Sequence, residues 1–181
     1  MFKKLEFVTP TLLGVFSLFL EDPIREYHCR EVVRRANVSL GSANKMLRLL
    51  AEKGFLTKEK KGGMVFYRLN AKNPAAKQFK IFVNVYALKE LVDTLSAHCR
   101  RIVLFGSSAQ GTDVKESDID LFILTPDKVW VRRKISAFNN RNTRKIAPII
   151  VDANELVKLK RDDEPLYDNI GSGITLWQTT E

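Results

Sequence analysis

The sequence predicts a mixed α/β (α+β) protein with two folded parts joined by a long helix. In the first part, two short strands surround Gly62-Gly63 after a run of helices. Apolar residues then recur at helical spacing from 75 to 97. In the second part, an apolar run breaks at a small-residue turn and another apolar run carries two aspartates, which predicts a small mixed sheet flanked by helices. The predicted domain boundaries are 1–72, 73–97 and 98–181.

The composition is that of a protein with a buried core and no membrane span. The chain has 181 residues, of which 45% are apolar. No apolar run reaches the roughly 18 residues that cross a bilayer, so we expect no membrane contact and a cytoplasmic location. Cys29 and Cys99 show no metal-ligand spacing, and we expect them to be free thiols in a reducing compartment.

The positive charge is concentrated in the first half of the chain. The net charge is +9; residues 1–97 contain 17 Lys and Arg against 9 Asp and Glu, whereas residues 98–181 contain 13 against 12. Basic surfaces attract polyanions because phosphate neutralisation releases counterions. The first half is therefore the part expected to bind nucleic acid.

The first half has the element order of a DNA-binding module. The predicted helices are Pro10 to Leu20, Arg30 to Ala36, and Leu40 to Lys53 with Ser39 as its cap. A hairpin follows Gly54. The stretch from Ser39 to Leu69, including the step Glu52-Lys53-Gly54-Phe55, resembles the winged helix-turn-helix transcription factors.

That resemblance implies a DNA-binding surface on the third helix and the hairpin. The residues expected to face the major groove are Ser42, Asn44, Lys45 and Arg48, and those expected to meet phosphates are Lys58, Lys60 and Lys61. Winged helices also serve as protein-protein modules, and Lys-rich hairpins are often simply solvated. The apolar stripe of the connecting helix fits core packing or dimerisation; because winged-helix regulators usually bind as twofold dimers, we expect a homodimer.

The second half contains a phosphate-sized turn and an acidic strand. A buried strand ends at Gly106-Ser107 and turns into a helix, which directs backbone N–H groups and a hydroxyl at one point. Asp118 and Asp120 lie two residues apart, so an extended chain places both carboxylates on one face, roughly 6.6 Å apart along the strand. Such carboxylates repel unless a cation lies between them, and hard oxygen ligands suit Mg²⁺ or Mn²⁺. The pattern predicts metal-assisted phosphoryl transfer.

This pattern resembles a known enzyme superfamily. Gly106-Ser107, Gly111 and Ser117-Asp118-Ile119-Asp120-Leu121 are similar to the signature of the DNA polymerase beta-like nucleotidyltransferases, in particular its minimal members. The resemblance implies that Gly106, Ser107 and Ser117 bind the nucleotide and that Asp118 and Asp120 are catalytic and bind metal.

The family pattern also has a third acidic residue on a later strand. Asp152 follows the apolar run from 147 to 151 and is the candidate for this third catalytic and metal-binding carboxylate. The alternative is that Asp152 caps a helix beginning near Ala153. Around it we predict a helix from Thr125-Pro126 to Phe138, one from 155 to 161, and a tail ending in a strand from 174 to 177.

The resulting functional hypothesis is transfer of a nucleoside monophosphate from an NTP, with ATP expected, to an acceptor hydroxyl by two Mg²⁺ (or Mn²⁺) ions. The acceptor is open: a protein, tRNA or a small molecule. Two alternatives remain, a DNA-binding regulator that senses nucleotide without turnover and a toxin-antitoxin-type transferase that modifies a protein or tRNA. The basic segments 132–134 and 141–145 either hold phosphates or acceptor, or stay solvated.

Overall fold

The computed structural model describes residues 6–179. Within them the chain forms nine helices and seven strands. The structure divides into two compact units between Phe79 and Lys80. No helix in the described range has the length and apolar content needed to cross a membrane.

The first unit is a helix-turn-helix with a three-stranded sheet. Its elements are α1 (Pro10–Glu21), β1 (Tyr27–His28), α2 (Cys29–Ala36), α3 (Leu40–Glu52), β2 (Leu56–Lys61) and β3 (Met64–Leu69), and α4 (Pro74–Ala87) begins in it. The antiparallel sheet has the order β1-β3-β2. This arrangement confirms the predicted winged helix-turn-helix fold; β1 is a short strand that the sequence did not predict.

Local sequence signals account for these boundaries. The hydroxyl of Thr9 accepts a hydrogen bond from Leu12 N and Pro10 occupies the first turn of α1. Ser39 Oγ likewise accepts from Ser42 N at the start of α3. The β2–β3 turn has positive φ at both central glycines, Gly62 and Gly63, which residues with a side chain rarely adopt. The core of the unit contains an edge-to-face group of aromatic rings from Phe16, Phe55 and Phe79.

The second unit contains a four-stranded mixed sheet. Its elements after α4 are α5 (Lys89–Ser96), β4 (Arg101–Leu104), α6 (Gly106–Gln110), β5 (Ile119–Leu124), α7 (Lys128–Arg141), β6 (Ile146–Val151), α8 (Ala153–Asp162), α9 (Glu164–Gly171) and β7 (Ile174–Gln178). The strand order is β6-β5-β4-β7, with β5 parallel to β6 and the other neighbours antiparallel. The predicted small mixed sheet flanked by helices is confirmed.

Each face of this sheet packs against its own pair of helices. Leu121 and Ile123 of β5 belong to a core with buried residues of α5 and α7. Phe122 belongs to a second core, which Leu159 of α8 and Ile170 of α9 complete. Because side chains alternate along a strand, Asp120 shares the face of Phe122. The carboxylate therefore lies on the α8–α9 side of the sheet, beyond the end of its apolar core.

Three elements differ from the sequence prediction. The expected single connecting helix is two helices, because Leu88 is buried between α4 and α5 and its N–H donates to Val85 O, three residues back. Helix α7 is capped by Asp127 instead of Thr125. The Thr125 hydroxyl donates to His98 O and accepts from Asp127 N, so it belongs to the preceding turn. Part of the expected irregular tail is α9, capped by Asp163.

Candidate functional site

Gly106 brings the main chain directly against an acidic side chain. Its φ is +66°, and a Cβ built on it would lie 2.3 Å from Asp120 Oδ2. The neighbouring Phe105 N donates to Asp120 O at 3.1 Å, which fixes the start of α6 beside β5. Ser107 follows and is half-buried. Only glycine allows the main chain to lie this close to the Asp120 carboxylate, so the positions of the turn and of the carboxylate depend on each other.

The two motif carboxylates sit close together without a protein cation between them. Asp118 is exposed immediately before β5, and Asp120 is half-buried as the second residue of that strand. Burial raises the pKa of Asp120, and the negative charge of Asp118 raises it further. Within residues 6–179 neither carboxylate has an ion-pair partner. This uncompensated pair of hard oxygen donors fits one divalent cation whose remaining ligands are phosphate oxygens and water.

Asp152, the candidate for the third catalytic and metal-binding carboxylate, lies apart from this pair and forms the helix cap that was the alternative interpretation. Its Oδ1 accepts hydrogen bonds from Asn154 N at 3.0 Å and Glu155 N at 2.9 Å, and the Glu155 side chain returns one to Asp152 N. This is a complete capping box for α8. Lys128 Nζ lies 3.1 Å from Asp152 Oδ2. The hydrogen bond from Glu155 N, with that ammonium group, lowers the pKa of Asp152.

The strand register gives the physical reason for the separation. Asp120 is paired with Ala147 at the beginning of the parallel β5–β6 ladder, and Leu124 is paired with Val151 at its end. Asp152 is thus five residues beyond the partner of Asp120, roughly 16 Å along the strand. The residue beside Asp120 on the same face is Ala147, which has no ligand atom. In the described part of the chain no group of three or more His, Cys, Asp or Glu could hold a metal ion.

Ser117 has a local structural contact. Its Oγ accepts a hydrogen bond from Val114 N at 3.0 Å, which closes the turn before Asp118. The role in nucleotide binding that the family resemblance implies for Ser117 stays a prediction.

In the first unit, the predicted DNA-contacting residues of α3 and of the hairpin meet in one groove. Asn44 and Arg48 from α3 and Lys58 and Lys60 from β2 line a groove of about 940 Å³. All four side chains are exposed. The alternation of β2 explains why Lys58 and Lys60 share a side. The lining also includes Glu52 and Glu59, but basic residues outnumber acidic ones there, which favours the binding of phosphate groups.

Three further predicted DNA contacts differ in their surroundings. Lys61 lies on the other side of β2, with Nζ 2.7 Å from Glu26 Oε2 and 3.2 Å from Glu59 Oε2. Its charge is thus already compensated, and we expect little phosphate binding from it. Ser42 Oγ accepts a hydrogen bond from Ser39 Oγ and belongs to the α3 cap. Lys45 is exposed on α3 and lines a smaller depression of about 470 Å³ that also includes Arg48.

Sequence reasoning missed one part of the groove. His28, Cys29 and Arg30, at the start of α2, line the same surface. They reach it because β1 pairs with β3, with His28 opposite Phe66. A strand of two residues is too short to show the alternation of apolar and polar residues, so the sequence did not predict that these residues lie at the groove.

A family model matches part of the second unit. Residues 86–170 match the family model described as a nucleotidyltransferase domain. No curated protein matches the chain significantly.

Several solved structures share part of the fold. A MarR family protein from Bacillus stearothermophilus is 14% identical, with a TM-score of 0.41, and the match covers 52% of this chain and 64% of that one. A protein described as a nucleotidyltransferase from Sulfolobus solfataricus is 19% identical, with a TM-score of 0.35 and coverage of 57% and 86%. A mutant of the toxin-antitoxin pair MntA-HpeT is 20% identical, with a TM-score of 0.38 and coverage of 53% and 74%. At these scores the similarities carry no functional argument.

Proposed function

We propose that the chain is a metal-dependent nucleotidyltransferase whose N-terminal winged helix binds DNA. The observation that carries the proposal is the approach of Gly106 to Asp120 beside Asp118, within the residues that match the nucleotidyltransferase family model. A glycine turn at the start of a helix, next to two carboxylates without an ion-pair partner among the described residues, suits a nucleoside triphosphate bound with a divalent cation.

Each group at this site has a separate task in the proposed reaction. The absent side chain at Gly106 lets the Asp120 carboxylate lie against the turn, and the N–H and hydroxyl of Ser107 donate to phosphate oxygens. Asp118 and Asp120 would hold Mg²⁺ or Mn²⁺, which would supply positive charge against the triphosphate. The acceptor hydroxyl oxygen forms a bond to the α-phosphorus of the NTP, which we expect to be ATP. The bond between the α-phosphorus and the oxygen that bridges to the β-phosphate breaks, so that pyrophosphate leaves, and the hydroxyl proton passes to water.

The experiment is incubation of the protein with α-labelled ATP, Mg²⁺ or Mn²⁺ and cell extract. We expect label on a protein, tRNA or small molecule with the wild type and none with Asp118→Asn/Asp120→Asn. Asp152→Asn is the matched control, because it removes one carboxylate charge at the other end of the sheet. Equal labelling by wild type and the double variant would refute transfer at this site.

One observation favours a second candidate, nucleotide binding without turnover. The residue opposite Asp120 is Ala147, so a second cation has no third carboxylate among the described residues. A regulator that only senses nucleotide needs one cation and no activated acceptor. Tight binding of ATP with Mn²⁺ and no labelled product, even with purified candidate acceptors, would establish this alternative.

Ala147→Asp separates the two candidates further. The new carboxylate would stand beside Asp120, where a third negative charge is unfavourable without a cation. We expect the variant to have a lower Tm than wild type in EDTA and to recover it in Mn²⁺. If the wild type is a transferase limited by a missing metal ligand, Ala147→Asp also labels the acceptor faster than the wild type does. If the wild type is a nucleotide sensor, neither protein forms labelled product.

For the DNA-binding part, the groove between α3 and the hairpin supplies the argument. Its lining has more basic than acidic residues: Arg30, Arg48, Lys58 and Lys60 against Glu52 and Glu59. Affinity for duplex DNA should therefore fall steeply with salt. A gel shift or fluorescence titration from low to moderate salt tests this, and salt-independent or absent binding would refute DNA as the partner.

A further inference from the structure

A buried polar cluster in the second unit involves groups that the proposed reaction does not use. Asp113 is 1% exposed, and its Oδ2 lies 3.2 Å from Lys80 Nζ and 3.0 Å from Arg144 Nη1. Asn84 Nδ2 donates to Asp113 Oδ1 at 2.9 Å. Lys80 is itself only 3% exposed. Because an unpaired buried charge is strongly destabilising, these groups depend on one another for their positions.

Arg144 extends this cluster to both parts of the proposed nucleotide site. Its Nη2 donates to Ser108 Oγ at 3.0 Å, and its Nε donates to Ser117 O at 3.2 Å. Ser108 is the second residue after Gly106 on α6, and Ser117 immediately precedes Asp118. One planar guanidinium therefore joins the glycine turn to the residue that leads into the acidic strand.

The segment between these two contacts contains Asp113 and is positioned by side-chain contacts and turn hydrogen bonds, such as those from Thr112 N to Ser107 O and from Ser117 N to Val114 O. Residues 112–118 form neither helix nor strand. Asn84 adds to the bracing from α4, since its Nδ2 also donates to Ser108 O at 3.0 Å and its Oδ1 accepts from Arg144 Nη1 at 3.2 Å. A loop without regular structure holds a fixed position only when such contacts define it.

We infer that Arg144, charge-balanced by Asp113, is a positioning residue that holds Asp118 in register with Gly106 and Asp120. It acts through the Ser117 carbonyl and the Ser108 hydroxyl and does not itself touch the nucleotide. The expected effect on ligand binding rests on the proposed function, because Asp118 needs a fixed position only if it binds a cation.

Two variants and one control test the role. Arg144→Met removes every hydrogen bond and ion pair of the Arg144 guanidinium. Arg144→Lys keeps a positive charge near Asp113 but cannot span Ser108 and Ser117 together. Val131→Ala is the control, because Val131 is fully buried in α7 of the same unit and belongs to the core on the other face of the sheet. The two readouts are amide hydrogen exchange of residues 112–119 without ligand and the Kd for Mn²⁺ with a non-hydrolysable ATP analogue.

We expect both Arg144 variants to exchange at least tenfold faster than wild type over 112–119, with α8 unchanged, and to bind the Mn²⁺ complex at least tenfold more weakly. Val131→Ala should show neither change well below its Tm. If Arg144→Met does not fold, Arg144→Lys decides the outcome. Wild-type exchange or affinity in the folded variants, or the same changes in Val131→Ala, would overturn the inference. If the wild type does not bind the Mn²⁺ complex, the proposed function fails, and the exchange data alone decide the positioning role.

Discussion

Replacing Gly106 by Ala separates two consequences of the tight turn: backbone strain and a collision with Asp120. The left-handed conformation at φ +66° costs a residue with a side chain roughly 1–2 kcal/mol. Beyond this, the new Cβ would lie 2.3 Å from Asp120 Oδ2, so the carboxylate has to move by about 0.7 Å to reach the 3.0 Å below which such contacts are essentially never seen. Gly62→Ala is the matched control, because Gly62 also has positive φ (+53°) but meets nothing within 4 Å.

Gly106→Ala should lose at least as much stability as Gly62→Ala, and the two variants should differ in ligand binding. A displacement of this size at a ligand costs on the order of tenfold to a hundredfold in a positioned site. We therefore expect Gly106→Ala to bind Mn²⁺ with an ATP analogue at least tenfold more weakly, about 1.4 kcal/mol or more, while Gly62→Ala binds normally. Chemical denaturation gives the stability and isothermal titration calorimetry the affinity. Normal binding by a folded Gly106→Ala would refute the view that the turn and Asp120 form one site.

Three further predictions concern the charged groups. Because the pKa of Asp120 is raised in the folded state, its ionised form is destabilising, and this destabilisation is removed as the pH falls through that pKa. Asp120→Asn should raise the Tm at neutral pH in EDTA and abolish the gain from Mn²⁺. Equal Tm values for the wild type and the variant across a pH series would contradict this. The pKa of Asp152 is lowered, so its contribution to folding stability is present above its unfolded pKa and is lost as the pH falls through the folded value. Asp152→Asn should therefore lower the Tm at neutral pH, not at strongly acidic pH, and leave nucleotide affinity unchanged. A loss of nucleotide affinity would restore Asp152 as a ligand. Lys58→Gln/Lys60→Gln should reduce the slope of log affinity for duplex DNA against log salt concentration by roughly 0.9 per lost phosphate contact. Lys61→Gln should change this slope little, because Glu26 already compensates the charge of Lys61.

The features that could be predicted from the sequence have local signals. Ser39 caps α3 and Pro10 starts α1, and both are read from a few neighbouring residues. The β2–β3 hairpin follows from two glycines between strand-like runs. The pairing of Asp118 with Asp120 depends only on the two-residue period of an extended chain. Each of these requires no knowledge of what lies elsewhere in the fold.

The features that the sequence did not reveal depend on register between distant segments. An apolar run before Asp152 predicted a strand correctly, but it could not show that β6 passes Asp120 at Ala147 and ends five residues later. Arg144 stood in a basic segment whose role was open, and its partners Ser108 and Ser117 come from earlier parts of the chain. Helix α9 is an exception, because Asp163 and the proline two residues later were a readable start signal that we missed.

The outer strand of the second sheet limits how a protein acceptor could be held. β6 is at the edge, and Pro148 in its middle is exposed. Proline has no N–H, so this rim lacks a donor at the centre of the row that an incoming strand would need. An extended peptide, or a second copy of the chain, would therefore lose a ladder hydrogen bond at this point of the β6 edge. At this edge, a polypeptide that receives a nucleotide would depend more on recognition through its side chains.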